Sequence, residues 1–224
     1  MKNKVFVFGD CHTARVWEHY DYDNSEIDLR MWGKGGIKIY DLNFDEYKKE
    51  NLISSGMEST PSKLSFDPIV KFNEFENSDL LVFWLGYIDI RQFLSKYKNP
   101  EFVANYYIET LANSFGDKKI GIIEPLPQFT EMLLKHKDIS PSYEYKDRKE
   151  QNDLFLKYLR EFAKNKNIPI LVSQDEIYEA VGKKEFTSDM THTKAPHPVD
   201  GLKDEYNKCI YDLFAKNIIK YFDH

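Results

Sequence analysis

A three-layer α/β/α domain is the fold class this sequence predicts, and three observations predict it. Short apolar runs recur along the chain, and segments of helical length separate them. One run, Asp79–Leu85 (DLLVFWL), is nearly continuous in apolar residues. A strand covered by helices on both faces of a parallel sheet reads this way, because neither side of its pleat meets water. Strands that alternate with helices imply right-handed βαβ crossovers and a parallel sheet.

The elements are expected in this order. Lys4–Phe8 is strand one, stopped by the turn Gly9-Asp10-Cys11-His12 and followed by a helix-compatible segment, Thr13–Tyr20. Ile37–Leu42 is expected as strand two from the near alternation of Ile37, Ile39 and Tyr40/Leu42. Asp79–Leu85 is strand three, Lys119–Ile123 (KIGII) strand four and Ile168–Val172 (IPILV) strand five. Helices are expected over Asp67–Phe75, Pro100–Phe115, Asp147–Lys166 and Asp204–Phe222. The last carries Tyr206, Ile210, Leu213/Phe214, Ile218 and Phe222 on one 3.6-residue stripe, and Pro100 sits where a first-turn proline is tolerated. Five strands in this rhythm suggest the flavodoxin-like order 2-1-3-4-5 within one domain spanning 1–224. Two loop-rich stretches, Asn51–Phe66 and Pro125–Tyr145, follow strand ends and are expected to build the rim of a substrate site.

Composition narrows the function. The 224 residues include 16 Phe and 15 Tyr, enough large side chains for a substantial core. The net charge of −6 comes from interspersed Lys, Asp and Glu with no basic stripe, which argues against nucleic acid as a partner. Runs such as Leu80–Leu85 fall far short of the roughly 20 apolar residues of a membrane span, so no membrane partner is expected. The start of the chain enters a strand pattern with no signal-peptide core. Two cysteines, Cys11 and Cys209, form no disulfide framework, and a reduced, cytoplasmic setting is the expectation. The pattern carries no signal for the oligomeric state.

Reactive side chains gather at expected strand ends. Ligands of open α/β sheets bind beyond the carboxyl ends of the strands, and Cys11 follows such an end. A helix starting there turns its positive end toward the thiol and favours the thiolate, which makes Cys11 a candidate nucleophile. Further along stand Gly33–Gly36, before the expected strand two, Gly86-Tyr87-Ile88-Asp89-Ile90-Arg91 after strand three, and Asp189-Met190-Thr191-His192 before the last helix. Cys209, beside the apolar stripe of that helix, is expected in or flanking the core.

These four blocks, in this order, resemble the SGNH (GDSL-type) esterase and acyltransferase superfamily. Its blocks are G-D-S at the first strand, a glycine in the next loop, G-x-N-D after the third strand and D-x-x-H near the C-terminus. The spellings here look most like a branch with G-D-S-H-T and G-x-I-D-x-R. The resemblance implies Cys11 as nucleophile, His192 as general base and Asp189 as the acid that orients it. A thiol needs a base within hydrogen-bond reach and that base needs a partner fixing its tautomer; an Asp and a His three residues apart can meet within one turn. Asp10 and Asp89 are expected to be structural at the site. The oxyanion donors implied are the Cys11 amide and Gly35 or Gly36, with Gly86 in the third block.

Two departures bear on mechanism. Ile88 replaces the asparagine that would donate to the oxyanion, and losing one such donor costs about 10²–10³ in rate; His12 and Arg91 are the nearest substitutes. His197-Pro198-Val199-Asp200-Gly201 resembles the H-P-x-x-x-G tail that normally begins at the catalytic histidine, so His197 competes with His192, which is preferred because Asp189 is in register with it. The expected activity is hydrolysis or transfer of an O-acyl group, plausibly acetyl, on a carbohydrate or other small metabolite. No cofactor is expected, with acyl-CoA as donor if the enzyme is a transferase. A non-catalytic binding module on the same fold and a metal-dependent phosphoesterase using Asp10 and His12 are the competing readings, the latter without the G-D-x-x-D and G-N-H-[DE] blocks it would need. No metal site is assigned.

Overall fold

The segment Val5–Phe8 becomes the middle of the sheet, because its side chains are apolar on both faces of the pleat. In a computed structural model, the described residues are 2–10, 26–34, 37–51, 57–60, 63–66, 72–94, 99–126, 145–181 and 203–223. The strands are β1 (Asn3–Asp10), β2 (Ile27–Lys34), β3 (Met57–Thr60), β4 (Lys63–Phe66), β5 (Leu80–Trp84), β6 (Ile120–Ile123) and β7 (Ile170–Val172). The α-helices are α1 (Phe44–Glu50), α2 (Phe72–Glu76), α3 (Pro100–Phe115), α4 (Tyr145–Asn165), α5 (Gln174–Val181) and α6 (Lys203–Phe222), with a 3-10 turn at Ile39–Asp41 and a π-helical turn at Asp89–Leu94.

The sheet order is β4-β3-β2-β1-β5-β6-β7. Its five parallel strands, β2-β1-β5-β6-β7, follow the expected order 2-1-3-4-5. The hairpin β3–β4 extends the sheet in antiparallel fashion, pairing Met31 with Ser59 and Gly33 with Met57. It occupies part of Asn51–Phe66, which the sequence suggested as loop.

The second strand is a correction. Ile27–Lys34 pairs with β1 residue for residue, from Asn3↔Ile27 to Asp10↔Lys34. Ile37–Leu42, read as that strand, instead contains the 3-10 turn. Its Ile37, Ile39 and Leu42 are buried by packing onto the sheet from one side. The glycines at 33–36 therefore begin at the carboxyl end of a strand rather than before one, on the same edge as Asp10.

Alternation along the strands builds two cores. Phe6, Phe8, Leu81 and Phe83 face α1–α4, while Val5, Val7, Leu80, Val82 and Trp84 face α5 and α6. The first face is aromatic. Phe44 stands 4.8 Å from Phe115 and 5.7 Å from both Phe8 and Phe83, and Phe75 is 6.0 Å from Phe83. Edge-to-face pairs of this kind add about 0.5–1.5 kcal/mol each beyond the area they bury. Local chemistry starts the helices: Asn99 caps α3 by accepting from the Phe102 amide ahead of Pro100, and Asn43 caps α1 through Glu46. Cys209 lies half-buried on α6. Among the described residues no helix is long and apolar enough to cross a membrane.

Candidate active site at the carboxyl edge of the sheet

The strand order creates a crevice at one defined place. The chain leaves β1 toward β2 on one side, and it leaves β5 toward β6 on the other. Between β1 and β5 the connections diverge, and in open α/β sheets ligands bind at such a switch point. The chain enters that crevice at Asp10, the last residue of β1, and at Leu85–Asp89, the turn after β5.

Gly86 fixes this turn. Its φ of +111° lies where L side chains are strained. A Cβ there would meet Phe155 Cε1 at 3.2 Å and Pro125 Cγ at 3.4 Å. Both constraints select glycine, and they lock α4 against the loop. Tyr87 and Ile88 follow, each buried, and the Ile90 amide closes the turn by donating to the Gly86 carbonyl at 2.9 Å. Ile88 is only 7% exposed. An apolar side chain packed here leaves this position without a side-chain donor.

Asp89 is fully buried. Both of its carboxyl oxygens lie within reach of one donor, the Ile39 amide, at 3.1 and 3.3 Å. This staples the segment after the β2 glycines to the loop after β5. Burial dominates its chemistry and raises its pKa to about 7, against the lowering effect of the Ile39 amide. Beneath it, burial raises the Tyr107 phenol well above its ordinary range, and the charges of Asp89 and Asp10 act in the same direction. Asp10 is itself buried. The floor of the crevice thus holds two carboxyl groups and a phenol in electrostatic contact.

Sequence reasoning missed a second polar group, where β6 and β7 end. Glu124, fully buried, accepts from Arg160 Nε at 2.6 Å and Nη2 at 2.8 Å, and from the Gln174 amide at 2.7 Å. Arg160 also reaches Asp175 at 3.2 Å; hydrogen bonding to Glu124 raises its already high pKa. Gln174 donates to the Pro125 carbonyl and exchanges hydrogen bonds with Asn152. Beside this network, α4 and α5 border an open cavity of about 730 Å³ lined by Lys149, Asn152, Asp153, Arg160, Gln174 and Tyr178, among others. Its charges are largely paired, Lys149 with Asp153 at 2.6 Å and Arg160 with Glu124. The lining also holds Lys157 and Asp175, beside the side-chain amides of Asn152 and Gln174. The only sequence signal was a carboxylate placed immediately after the run Ile120–Ile123.

Of the sequence-derived site residues, Asp10, Gly86 and Asp89 lie together around the crevice. Arg91 belongs to the π-helical turn, with its side chain outside the described residues. Cys11, His12, Gly35, Gly36, Asp189, His192 and His197 also lie outside them; Cys11 is bonded directly to Asp10, and Gly35 follows Lys34. Among the described residues no three His, Cys, Asp or Glu side chains are grouped to hold a metal ion, and most residues of the metal reading fall outside that set.

No family model and no curated protein sequence matches the chain. Solved structures do. A DUF4886 family protein from Bacteroides uniformis superposes with a TM-score of 0.57 at 8% identity, over 96% of this chain and 84% of that one. A protein assigned as a GDSL-like lipase from Parabacteroides merdae gives 0.51 at 13% identity, over 96% and 97%. At these identities the likeness establishes a shared fold: the parallel sheet in order 2-1-3-4-5, flanked by helices, is the architecture on which at least one GDSL-like protein is built.

Proposed function

We propose that the chain is an SGNH-type enzyme that removes or transfers an O-acyl group, acetyl on a carbohydrate or other small metabolite, through Cys11, His192 and Asp189. One observation carries the reading: Gly9-Asp10, which open the G-D-C-H block, and Gly86, which opens the G-x-I-D-x-R block, stand at the ends of the two strands that flank the topological switch point. Asp10 and Gly86, 76 residues apart in sequence, both lie at this carboxyl edge, which supports a shared site there.

In this mechanism His192 accepts the Cys11 proton, with Asp189 fixing the imidazole tautomer. The thiolate attacks the acyl carbonyl carbon, and the amides of Cys11 and Gly35 or Gly36 hold the oxyanion. The ester C–O bond breaks, and the leaving alcohol takes the proton from His192. Water, or an acceptor hydroxyl, gives its proton to His192 and attacks the thioester, which releases the acyl group and returns the thiolate. Thioester chemistry makes acetyl-CoA a competent donor for the transfer version. The paired, amide-rich cavity at β6 and β7 supports a sugar as the alcohol portion. It lies three strands from β1, about 14 Å at normal strand spacing.

The buried Ile88 favours a second reading, a binding module that retains the fold without turnover. Turnover of a chromogenic acetate ester and of acetyl-CoA separates the two, measured beside Cys11→Ala, His192→Ala and His197→Ala. Activity lost in the first two variants and kept in the third establishes the acyl enzyme. Activity kept without His192 and lost without His197 transfers the base to His197. No turnover, with a Cys11 thiol alkylated by iodoacetamide no faster than free cysteine, refutes the enzyme.

A further inference from the structure

The missing asparagine at position 88 leaves a gap in the proposed site, and α4 carries a side chain suited to fill it. Gln151 is 6% exposed, and its Oε1 finds no hydrogen-bond partner among the described residues. Leaving a polar group buried and unpaired is costly, so a position that tolerates it invites the question of what it pairs with during function. Gln151 lies on the stripe 151-155-159, whose Phe155 and Leu159 are fully buried in the aromatic face of the core. The charged and amide side chains of α4 that line the cavity, Lys149, Asn152 and Asp153, point to the other side.

Its height along the helix is set by Phe155. That ring lies against Gly86, 3.2 Å from where a Cβ would stand. Gln151 is one helical turn earlier, about 6 Å along the axis. Because α4 follows β6 and returns to start β7, its N-terminal end is at the carboxyl edge of the sheet, and side chains lean toward a helix's N-terminus. Gln151 is therefore displaced from Phe155 toward the carboxyl edge of the sheet, the edge at which the turn carrying Gly86 and Ile88 lies. A half turn of the terminal amide exchanges its oxygen for its nitrogen, so the group serves as donor or acceptor.

We propose that Gln151 supplies the side-chain amide that Ile88 lacks, donating through Nε2 to the oxygen of the acyl group that becomes negative during attack. The inference rests on the acyl-transfer reading above. It assigns a catalytic donor from a helix where the family pattern places one in the loop.

The test compares wild type, Gln151→Leu, Gln151→Ala and Gln151→Leu/Ile88→Asn, using the chromogenic acetate ester, iodoacetamide labelling of Cys11 and thermal melting. A transition-state donor predicts a kcat lower by about 10²–10³ with KM within threefold. Iodoacetamide alkylation passes through no oxyanion, so its rate stays at the wild-type value. Replacing an unpaired buried amide with leucine raises Tm, by about 2–4 °C for each kcal/mol of relief in a chain of this size. Asparagine at 88 recovers at least tenfold of the lost kcat. A variant more stable and less active is the signature that a packing role does not produce. A kcat within threefold of wild type, or a Tm that falls together with kcat, overturns the assignment. Wild-type protein with no ester turnover and an unreactive Cys11 overturns the enzyme reading and this inference with it, whereas an active wild type with an unaffected Gln151→Leu overturns this inference alone.

Discussion

Asp89 makes the stability of this fold depend on pH in a direction opposite to that of an ordinary salt-bridged carboxylate. Its folded-state pKa of about 7 lies roughly three units above the usual carboxylate value of 3.8. In the unfolded chain the group loses its proton near pH 4, and in the folded protein it holds the proton until about pH 7. Across that window the folded state binds more protons, so stability falls as pH rises and levels off above 7. Each unit is worth about 1.4 kcal/mol, so the full window amounts to about 4 kcal/mol. Asp89→Asn removes the titration and keeps an oxygen to accept from the Ile39 amide. The variant is expected to match wild type near pH 4 and to exceed it by about 4 kcal/mol at pH 8. Urea unfolding of both proteins at pH 4, 5, 6, 7 and 8 reads the difference directly, because other carboxylates cancel between them. A difference that stays flat, or a variant that loses ground to wild type as pH rises, refutes the account of Asp89 as a buried group whose charge is disfavoured.

Three further outcomes are expected. Gly86→Ala forces a side chain into positive φ and against Phe155, at about 1–3 kcal/mol in urea unfolding; on the acyl-transfer proposal ester turnover falls with it, because the same turn carries Ile88 and Asp89. Arg160→Met leaves the Glu124 carboxylate buried with the Gln174 amide as its remaining partner among the contacts described and costs about 3 kcal/mol; Glu124→Gln costs less, because Arg160, 43% exposed, turns to water. Equal losses in the two variants would contradict that asymmetry. Phe44→Ala, in the aromatic cluster, is expected to cost about 3–5 kcal/mol, whereas Phe102→Ala, 52% exposed on α3, stays within about 0.5 kcal/mol.

The elements legible in the sequence are those whose burial is uniform. β5 and β6 are covered on both faces and read as unbroken apolar runs, and α3 begins at Pro100 and ends at Phe115 where its pattern starts and stops. β2 escaped because its two faces differ. Ile27, Leu29 and Met31 pack into one core, but Arg30 points to the other face, its guanidinium 5.8 Å from the Phe6 ring. Asp28 and Arg30 alternate with Ile27, Leu29 and Met31 in a period of two that the sequence does display; the similar spacing of Ile37 and Ile39 drew the strand to the wrong segment. The β3–β4 hairpin joins its strands through Pro61-Ser62, and its Ser, Thr and Lys content reads as loop. At the site, Asp10, Gly86 and Asp89 were legible because short motifs name them. Gln151 and Glu124 were not, since a lone polar residue on an apolar stripe or after a strand acquires meaning only once its neighbours are known.

The third sequence block does two different jobs at adjacent positions, Asp89 binding backbone and Ile88 standing where the proposed family pattern has asparagine. Asp89 faces inward and binds the Ile39 amide, so it holds the exit of the β2 glycine loop against β5. Ile88, in the same turn, is buried and offers no polar side-chain group. Changing Asp89 removes the carboxylate that holds the Ile39 amide, whereas changing Ile88, on the proposed reading, alters the donors available to the acyl oxygen. The two residues should therefore separate cleanly by experiment. Asp89→Asn alters stability with pH at constant sheet register, while Ile88→Asn in wild-type protein adds a second donor beside Gln151. If Gln151 already fills the role, that addition raises kcat by less than tenfold. A gain of about 10²–10³, the full value of a missing donor, would mean that the site of the natural chain is unfilled and that α4 contributes packing alone.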